Sequence, residues 1–241
     1  MFNYEEILYN CFPGGLLNED KNEWGIVGEC EAPKLLAYAT TLTPEVVIEA
    51  HQNNVNIIVT HHTAWNFMYE QKEKTYQLLK KHRITNIWCH LPLDKADFGT
   101  AVSLLALLNC TPFATLNNGE GRIGTLSKPQ SFEKIKETLN QKLREVPARE
   151  FNTKKTIKNI ATLTGAGTFT TYLKEAKSQD IDLYITGETS LYLLEYAKFQ
   201  NISVLIYSHN YTELFGVQSL VNLLANELSV SVYGHLVEEH F

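Results

Sequence analysis

A chain of 241 residues with 44% hydrophobic side chains can bury a substantial core, and at roughly 150 residues per domain it holds between one and two domains. Its 27 acidic residues outnumber 21 basic ones, for a net charge of −6, which argues against a basic, phosphate-binding main surface and against nucleic acid as a partner. No apolar run approaches the ~18 residues of a membrane span, and the stretch from Met1 to Glu6 lacks the basic-then-apolar plan of a signal peptide. A soluble, cytoplasmic protein with no membrane partner is expected.

In chain order, the pattern predicts a buried strand at 35–40, followed by Thr43 as N-cap and Pro44 at the first position of a helix reaching about Asn53. A strand at 55–60, a helix at 69–81, a strand at 84–89 and an apolar helix at 98–108 follow. The turn-rich stretches 117–122 and 127–129 flank a strand-like segment at 123–126. Beyond them come a helix at 131–144, a strand at 157–163, a helix at 169–178, a strand at 183–186 and a helix at 190–199. A strand at 202–207, a helix at 214–227 and a strand at 230–236 complete the chain. Strands separated by helices predict an α/β protein with mainly parallel sheets flanked by helices. We divide it near residue 125, into an N-terminal α/β domain (1–125) and a C-terminal one (126–241).

Cys11, Cys30, Cys89 and Cys110 are scattered with no CxxC pair, so reduced structural thiols are expected in a cytosolic chain, and zinc held by cysteine is not. The chemistry is sought instead at the carboxyl ends of strands, where open α/β sheets bind ligands. Three such ends are polar: Thr60-His61-His62, Cys89-His90-Leu91-Pro92-Leu93-Asp94, and Ser208-His209-Asn210-Tyr211-Thr212-Glu213. They hold four of the eight histidines and two carboxylates. Mixed imidazole and carboxylate donors suit zinc, iron, manganese or nickel better than magnesium or calcium. His209 and Glu213, four apart at a helix start, face one point. Adjacent residues of an extended strand point apart, so His61 and His62 meet at one ion only if the chain turns there, and otherwise serve two.

Plainer readings compete. A single strand-end histidine such as His90 is as often a hydrogen-bonded structural residue, and Asp94 also suits a helix cap. His51, His82, His235 and His240 have no carboxylate at ligand spacing and are assigned to surface or packing. The run Gly165-Ala166-Gly167-Thr168 offers backbone N–H groups to an anion, but a tight turn needing glycine is favoured. Glu188 at another strand end fits an outer acceptor for a metal ligand or a first-turn acid equally well. The lysines at 72, 74, 80 and 81 and at 154, 155 and 158 read as solvated faces rather than a nucleic-acid groove.

Ile57-Ile58-Val59-Thr60-His61-His62, His90-Leu91-Pro92-Leu93-Asp94, Tyr184-Ile185-Thr186-Gly187-Glu188 and the late His209-x-x-x-Glu213 resemble, in order and spacing, the Ngg1-interacting-factor-three-like proteins, many of them labelled GTP cyclohydrolase 1 type 2 homologues. The likeness runs from about Trp24 to the C-terminus and matches the short members that lack an inserted domain. It implies two α/β domains with a dinuclear metal site between them. The implied ligands of two divalent transition-metal ions (zinc, iron or manganese) are His61, His62, Asp94, His209 and Glu213. It also implies a homo-oligomer, a toroidal hexamer. The chain departs from the resemblance at Thr63-Ala64-Trp65-Asn66, where members often carry Pro-Leu-Ile-Phe, and at Asn22-Glu23-Trp24-Gly25-Ile26, where Asp-Asn-x-Gly-Leu is usual. Neither departure touches a ligand, but both alter the rim of the site. The leading expectation is a metal-dependent hydrolase for a nucleotide-like or phosphoester small molecule, with Asp94 or Glu213 bridging the ions and His90 moving protons. The rival is a non-enzymatic, ring-forming metal-binding or regulatory protein.

Overall fold

The computed structural model describes residues 3–28, 30 and 32–236. The chain forms two compact units, one taking the residues up to Phe98 together with those from Val217 onward, the other Gly99–Gly216.

The first unit runs α1 (Tyr4–Cys11), α2 (Leu16–Glu19), β1 (Trp24–Val27), β2 (Leu35–Thr41), α3 (Pro44–Gln52), β3 (Ile57–His62), α4 (Glu70–His82), β4 (Thr85–Cys89) and α5 (Leu91–Lys95). Its sheet has the order β1-β4-β3-β2-β11, where β11 (Ser231–His235) comes from the end of the chain. The pairs β2/β3, β3/β4 and β11/β2 are parallel, and β1 closes the edge antiparallel to β4. Every residue of β3 is buried, which accounts for its unbroken apolar start: a central parallel strand is covered on both faces. On one of them Val46, Val47, Ala50 and Leu79 pack on Ile58 and Ala39. Thr43 Oγ1 accepts from Val46 N at 3.3 Å, and Pro44 opens α3 as expected.

The second unit runs α6 (Thr100–Ala106), β5 (Cys110–Leu116), β6 (Gly121–Gln130), α7 (Phe132–Leu143), β7 (Arg149–Phe151), β8 (Ile157–Leu163), α8 (Thr170–Lys177), β9 (Leu183–Thr186), α9 (Leu191–Gln200) and β10 (Ser203–Ile206). The 20-residue α10 (His209–Leu228) then carries the chain back to the first unit. The sheet order is β5-β6-β8-β9-β10-β7. Only β8/β9 and β9/β10 are parallel, so this sheet is mixed rather than mainly parallel. The cause is local: Asn117, Asn118 and Gly119 all adopt positive φ (49°, 52° and 97°), and so tight a turn can only return β6 antiparallel to β5.

The division expected near residue 125 is likewise corrected. Thr125 sits inside β6, paired with Thr111 of β5 on one side and Asn159 of β8 on the other, so a cut there would split a sheet. The unit boundaries fall instead at Phe98/Gly99 and Gly216/Val217.

All four cysteines are free thiols and buried. Burial pushes the Cys11 thiol up to about 11 and that of Cys110 up to about 12, and holds Cys89 well above the ordinary thiol value. A raised thiol pKa keeps the unreactive protonated form at pH 8, so iodoacetamide at that pH is expected to modify none of these three in the folded chain and all of them in denaturant. Mass mapping of the alkylated peptides reads the result.

Candidate metal centre

In the first unit, β3 delivers His61 and His62 at its carboxyl end and β4 delivers His90 immediately after its own. One ligand atom from each of His61, His62 and His90 lies within 4.8 Å of the others, a group that could hold a metal ion. The His61 and His62 rings stand 4.7 Å apart at 49° to one another. His90 precedes the short helix α5, and Pro92 in its first turn sets the chain direction. Asp94 follows one turn later, buried, with Oδ1 3.5 Å from His61 Nε2. It is not a helix cap: Asp94 lies inside α5, whose cap is His90, and the following helix, Thr100–Ala106, is capped at Gly99.

Each imidazole is oriented through Nδ1. His61 Nδ1 donates to the Cys89 carbonyl at 2.9 Å, His90 Nδ1 donates to Glu23 Oε2 at 2.6 Å, and His62 Nδ1 shares a 3.0 Å hydrogen bond with Thr41 Oγ1. Carbonyl and carboxylate oxygens only accept, which fixes the proton of His61 and His90 on Nδ1 and turns the Nε2 lone pair toward the cluster.

In the second unit, β10 ends at Ile206 and α10 starts at His209, five residues earlier than the sequence pattern suggests. Ser208 Oγ accepts from Tyr211 N at 3.3 Å, while Glu145 Oε1 accepts from both Ser208 N and Ser208 Oγ. That cap places His209 and Glu213 one turn apart on the same face, with Nε2 and Oε1 separated by 3.2 Å. His209 Nδ1 donates to Glu188 Oε1 at 2.6 Å, repeating the orientation seen for His90. Burial lowers the His209 pKa, but the Glu213 and Glu188 carboxylates outweigh it and raise the value to about 9.

Gly165 completes this second set. Its φ is +60°, and a Cβ built there would collide with Glu213 Oε1 and lie 2.9 Å from His209 Nε2. Three of the run's four N–H groups are already used: Gly165 N donates to Thr212 Oγ1, Gly167 N to Thr186 Oγ1 and Thr168 N to Ala166 O. The segment is therefore a tight turn packed on two donors rather than an anion cradle.

The donor chemistry fits a divalent transition metal. The first unit offers three imidazoles and a carboxylate, the second an imidazole and a carboxylate, each imidazole held by an outer hydrogen bond of the kind that orients metal ligands. Sequence reading missed Glu23, Thr41 and the Cys89 carbonyl as orienting groups, and Gly165 as a close-approach residue. Of the two readings that the sequence leaves open for Glu188, an outer acceptor or a first-turn acid, its 2.6 Å contact with His209 Nδ1 matches the first. Of the remaining histidines, the His51 and His82 rings stack at 3.8 Å, and His235 lies in β11 with its ring 5.7 Å from Tyr38. His240 lies outside the described residues. Among the described residues, no helix is long and apolar enough to cross a membrane.

Comparison with known proteins gives a consistent picture. A Pyrococcus abyssi protein named GTP cyclohydrolase 1 type 2 homolog is 30% identical over 223 residues, covering 88% of each chain. Among solved structures, TTHA1606 from Thermus thermophilus matches with a TM-score of 0.83 at 17% identity over 99% of both chains. Reduced HcgD from Methanocaldococcus jannaschii matches with a TM-score of 0.79 at 24% identity, over 98% of this chain and 96% of that one. Both share the fold. The family description Duf34/NIF3 (NGG1p interacting factor 3) matches residues 6–238, and the chain belongs to that family.

Proposed function

We propose that the two donor sets serve one dinuclear centre, with His61, His62, Asp94, His209 and Glu213 as ligands, and that the protein is a metal-dependent hydrolase for a nucleotide-like or phosphoester substrate. The observation that carries this reading is that His61 and His209 are each oriented through Nδ1 and present Nε2 beside a buried carboxylate, Asp94 at 3.5 Å and Glu213 at 3.2 Å. The name borne by the Pyrococcus relative adds the substrate class. When bound, two divalent cations bring the pKa of water toward neutrality and polarise the bond under attack.

The chain's own residues have separate tasks. Asp94 and Glu213, both buried, supply negative charge where solvent does not. His90 is the proton carrier: Glu23, 2.6 Å from Nδ1, holds the ring aimed as Nε2 takes up and gives back a proton.

Elemental analysis of protein purified without added metal or chelator is expected to give about two transition-metal ions per chain, with turnover of a phosphoester or nucleotide in a broad panel. His90→Gln is expected to keep that metal content and lose about 100-fold in kcat, the usual scale of a proton-transfer residue. Metal loss in His90→Gln would make His90 a ligand instead, and a metal-replete wild type inert across the panel would favour the non-enzymatic reading.

A further inference from the structure

Two buried residues after the double histidine, the chain emerges as an aromatic-rich run, Trp65-Asn66-Phe67-Met68-Tyr69, in which Trp65 is half-buried and the rest exposed. Phe67 is 67% exposed, Met68 45% and Tyr69 83%. Apolar side chains left in water forgo the stabilisation of burial, so a run of them beside a buried donor set is a cost that folding alone does not explain.

The rings are ordered. Trp65 and Phe67 lie nearly parallel, at 13° with centroids 6.1 Å apart. Trp65 meets His90 at 72° with centroids 5.6 Å apart and Trp88 at 73° with centroids 5.7 Å apart. His90 in turn contributes a ligand atom within 4.8 Å of those of His61 and His62. Local contacts hold the run in place: Lys72 Nζ donates to Asn66 Oδ1 at 2.6 Å, and Thr63 Oγ1 shares a hydrogen bond with Tyr76 Oη at 3.2 Å. Tyr69 adopts φ 39° and ψ −131°, a backbone state that a bulky residue occupies only where its surroundings impose it.

We propose that Trp65 and Phe67 form a stacking platform that selects a planar heteroaromatic ring and sets its edge toward His90 and the histidine donors of the first unit. The nearly parallel pair defines the plane in which a ligand ring is accepted, and the 72° meeting with His90 makes a corner. A ring stacked parallel to Trp65 therefore stands at the same steep angle, 72°, to the His90 imidazole. Stacking is tolerant of ring substituents, so the platform fixes the class of the substrate and leaves finer choice to polar contacts. The proposal rests on the metal reading for the chemistry performed on that ring, but not for the binding itself.

The test compares two probes, guanosine 5′-monophosphate and ribose 5-phosphate, which share sugar and phosphate and differ by the base. Calorimetry on the full chain as purified is expected to show the nucleotide bound about tenfold or more tighter, which is about 1.4 kcal/mol. Phe67→Ala, at an exposed position that leaves the core intact, is expected to lower nucleotide affinity about tenfold with ribose 5-phosphate binding unchanged, and Phe67→Tyr to retain it. Trp65→Leu is expected to act in the same direction. Equal affinity of the wild type for the two probes would overturn the platform. So would unchanged nucleotide affinity in Phe67→Ala accompanied by a smaller sedimentation coefficient, which would make the patch a contact between copies of the chain. Metal content measured on the same samples separates the two ideas. Base discrimination without bound metal keeps the platform and removes the dinuclear reading, and a metal-replete wild type without discrimination does the reverse.

Discussion

Replacing either Asp94 or Glu213 by alanine is expected to remove both metal ions, not one, and to weaken metal binding by about 100-fold or more. Loss of an orienting partner alone costs a site about 10–100-fold, and loss of a ligand costs at least that. The two carboxylates belong to different units of the chain, so the single variants ask whether the two donor sets act as one centre. Independent sites would lose one ion in each single variant and both only in the double variant, with additive free energies. One dinuclear centre gives near-complete loss in each single variant and little further loss in the double. Thermal unfolding supplies a second readout. At metal concentrations about 1,000 times Kd, binding stabilises the wild type by about 4 kcal/mol, or roughly 10 °C for a chain of this size, and this zinc- or manganese-induced shift is expected to vanish in both variants. His61 and His209, the imidazoles beside Asp94 and Glu213, keep their Nδ1 hydrogen bonds in these variants.

The strand-end histidines were legible in sequence because β3, β4 and β10 are central strands whose apolar runs stop abruptly at polar residues. What orients them was not. Glu23 reaches His90 across 67 residues, and it precedes β1, a half-buried four-residue edge strand with no periodic pattern to announce it. The Cys89 carbonyl that holds His61 is main chain, and no side-chain motif encodes it. The start of α10 was read late because a helix beginning His-Asn-Tyr-Thr has no apolar periodicity in its first turn. The cap that sets it, Ser208, takes its own support from Glu145, 63 residues away. Similarly, β5 and β6 were hidden as a pair because β5 is exposed along most of its length and β6 is interrupted by glycines. The second sheet's antiparallel half followed from that omission, and so did the misplaced division at residue 125.

Gly165→Ala is expected to abolish metal binding by the second donor set while leaving the protein folded. Two costs act there, and they separate. The backbone cost of placing a Cβ at φ +60° is about 1–2 kcal/mol. The steric cost falls on Glu213 Oε1, which the new atom overlaps, and on His209 Nε2 at 2.9 Å. Both are the ends of side chains, so the carboxylate swings aside sooner than the backbone moves. Gly14→Ala isolates the first cost: its φ is +85°, and a Cβ there meets nothing within 4 Å. The two variants are therefore expected to lose similar stability, read as a shift in the urea midpoint, whereas only Gly165→Ala loses metal and turnover. Gly187→Ala makes the opposite contrast. Its Cβ would meet the His209 Cα at 2.7 Å, a main-chain atom that yields only if the first turn of α10 shifts, so stability and metal are expected to fall together. A Gly165→Ala protein that still bound metal with wild-type affinity would mean that the Glu213 carboxylate need not occupy the position where glycine admits it, and Glu213 would then drop out of the ligand set.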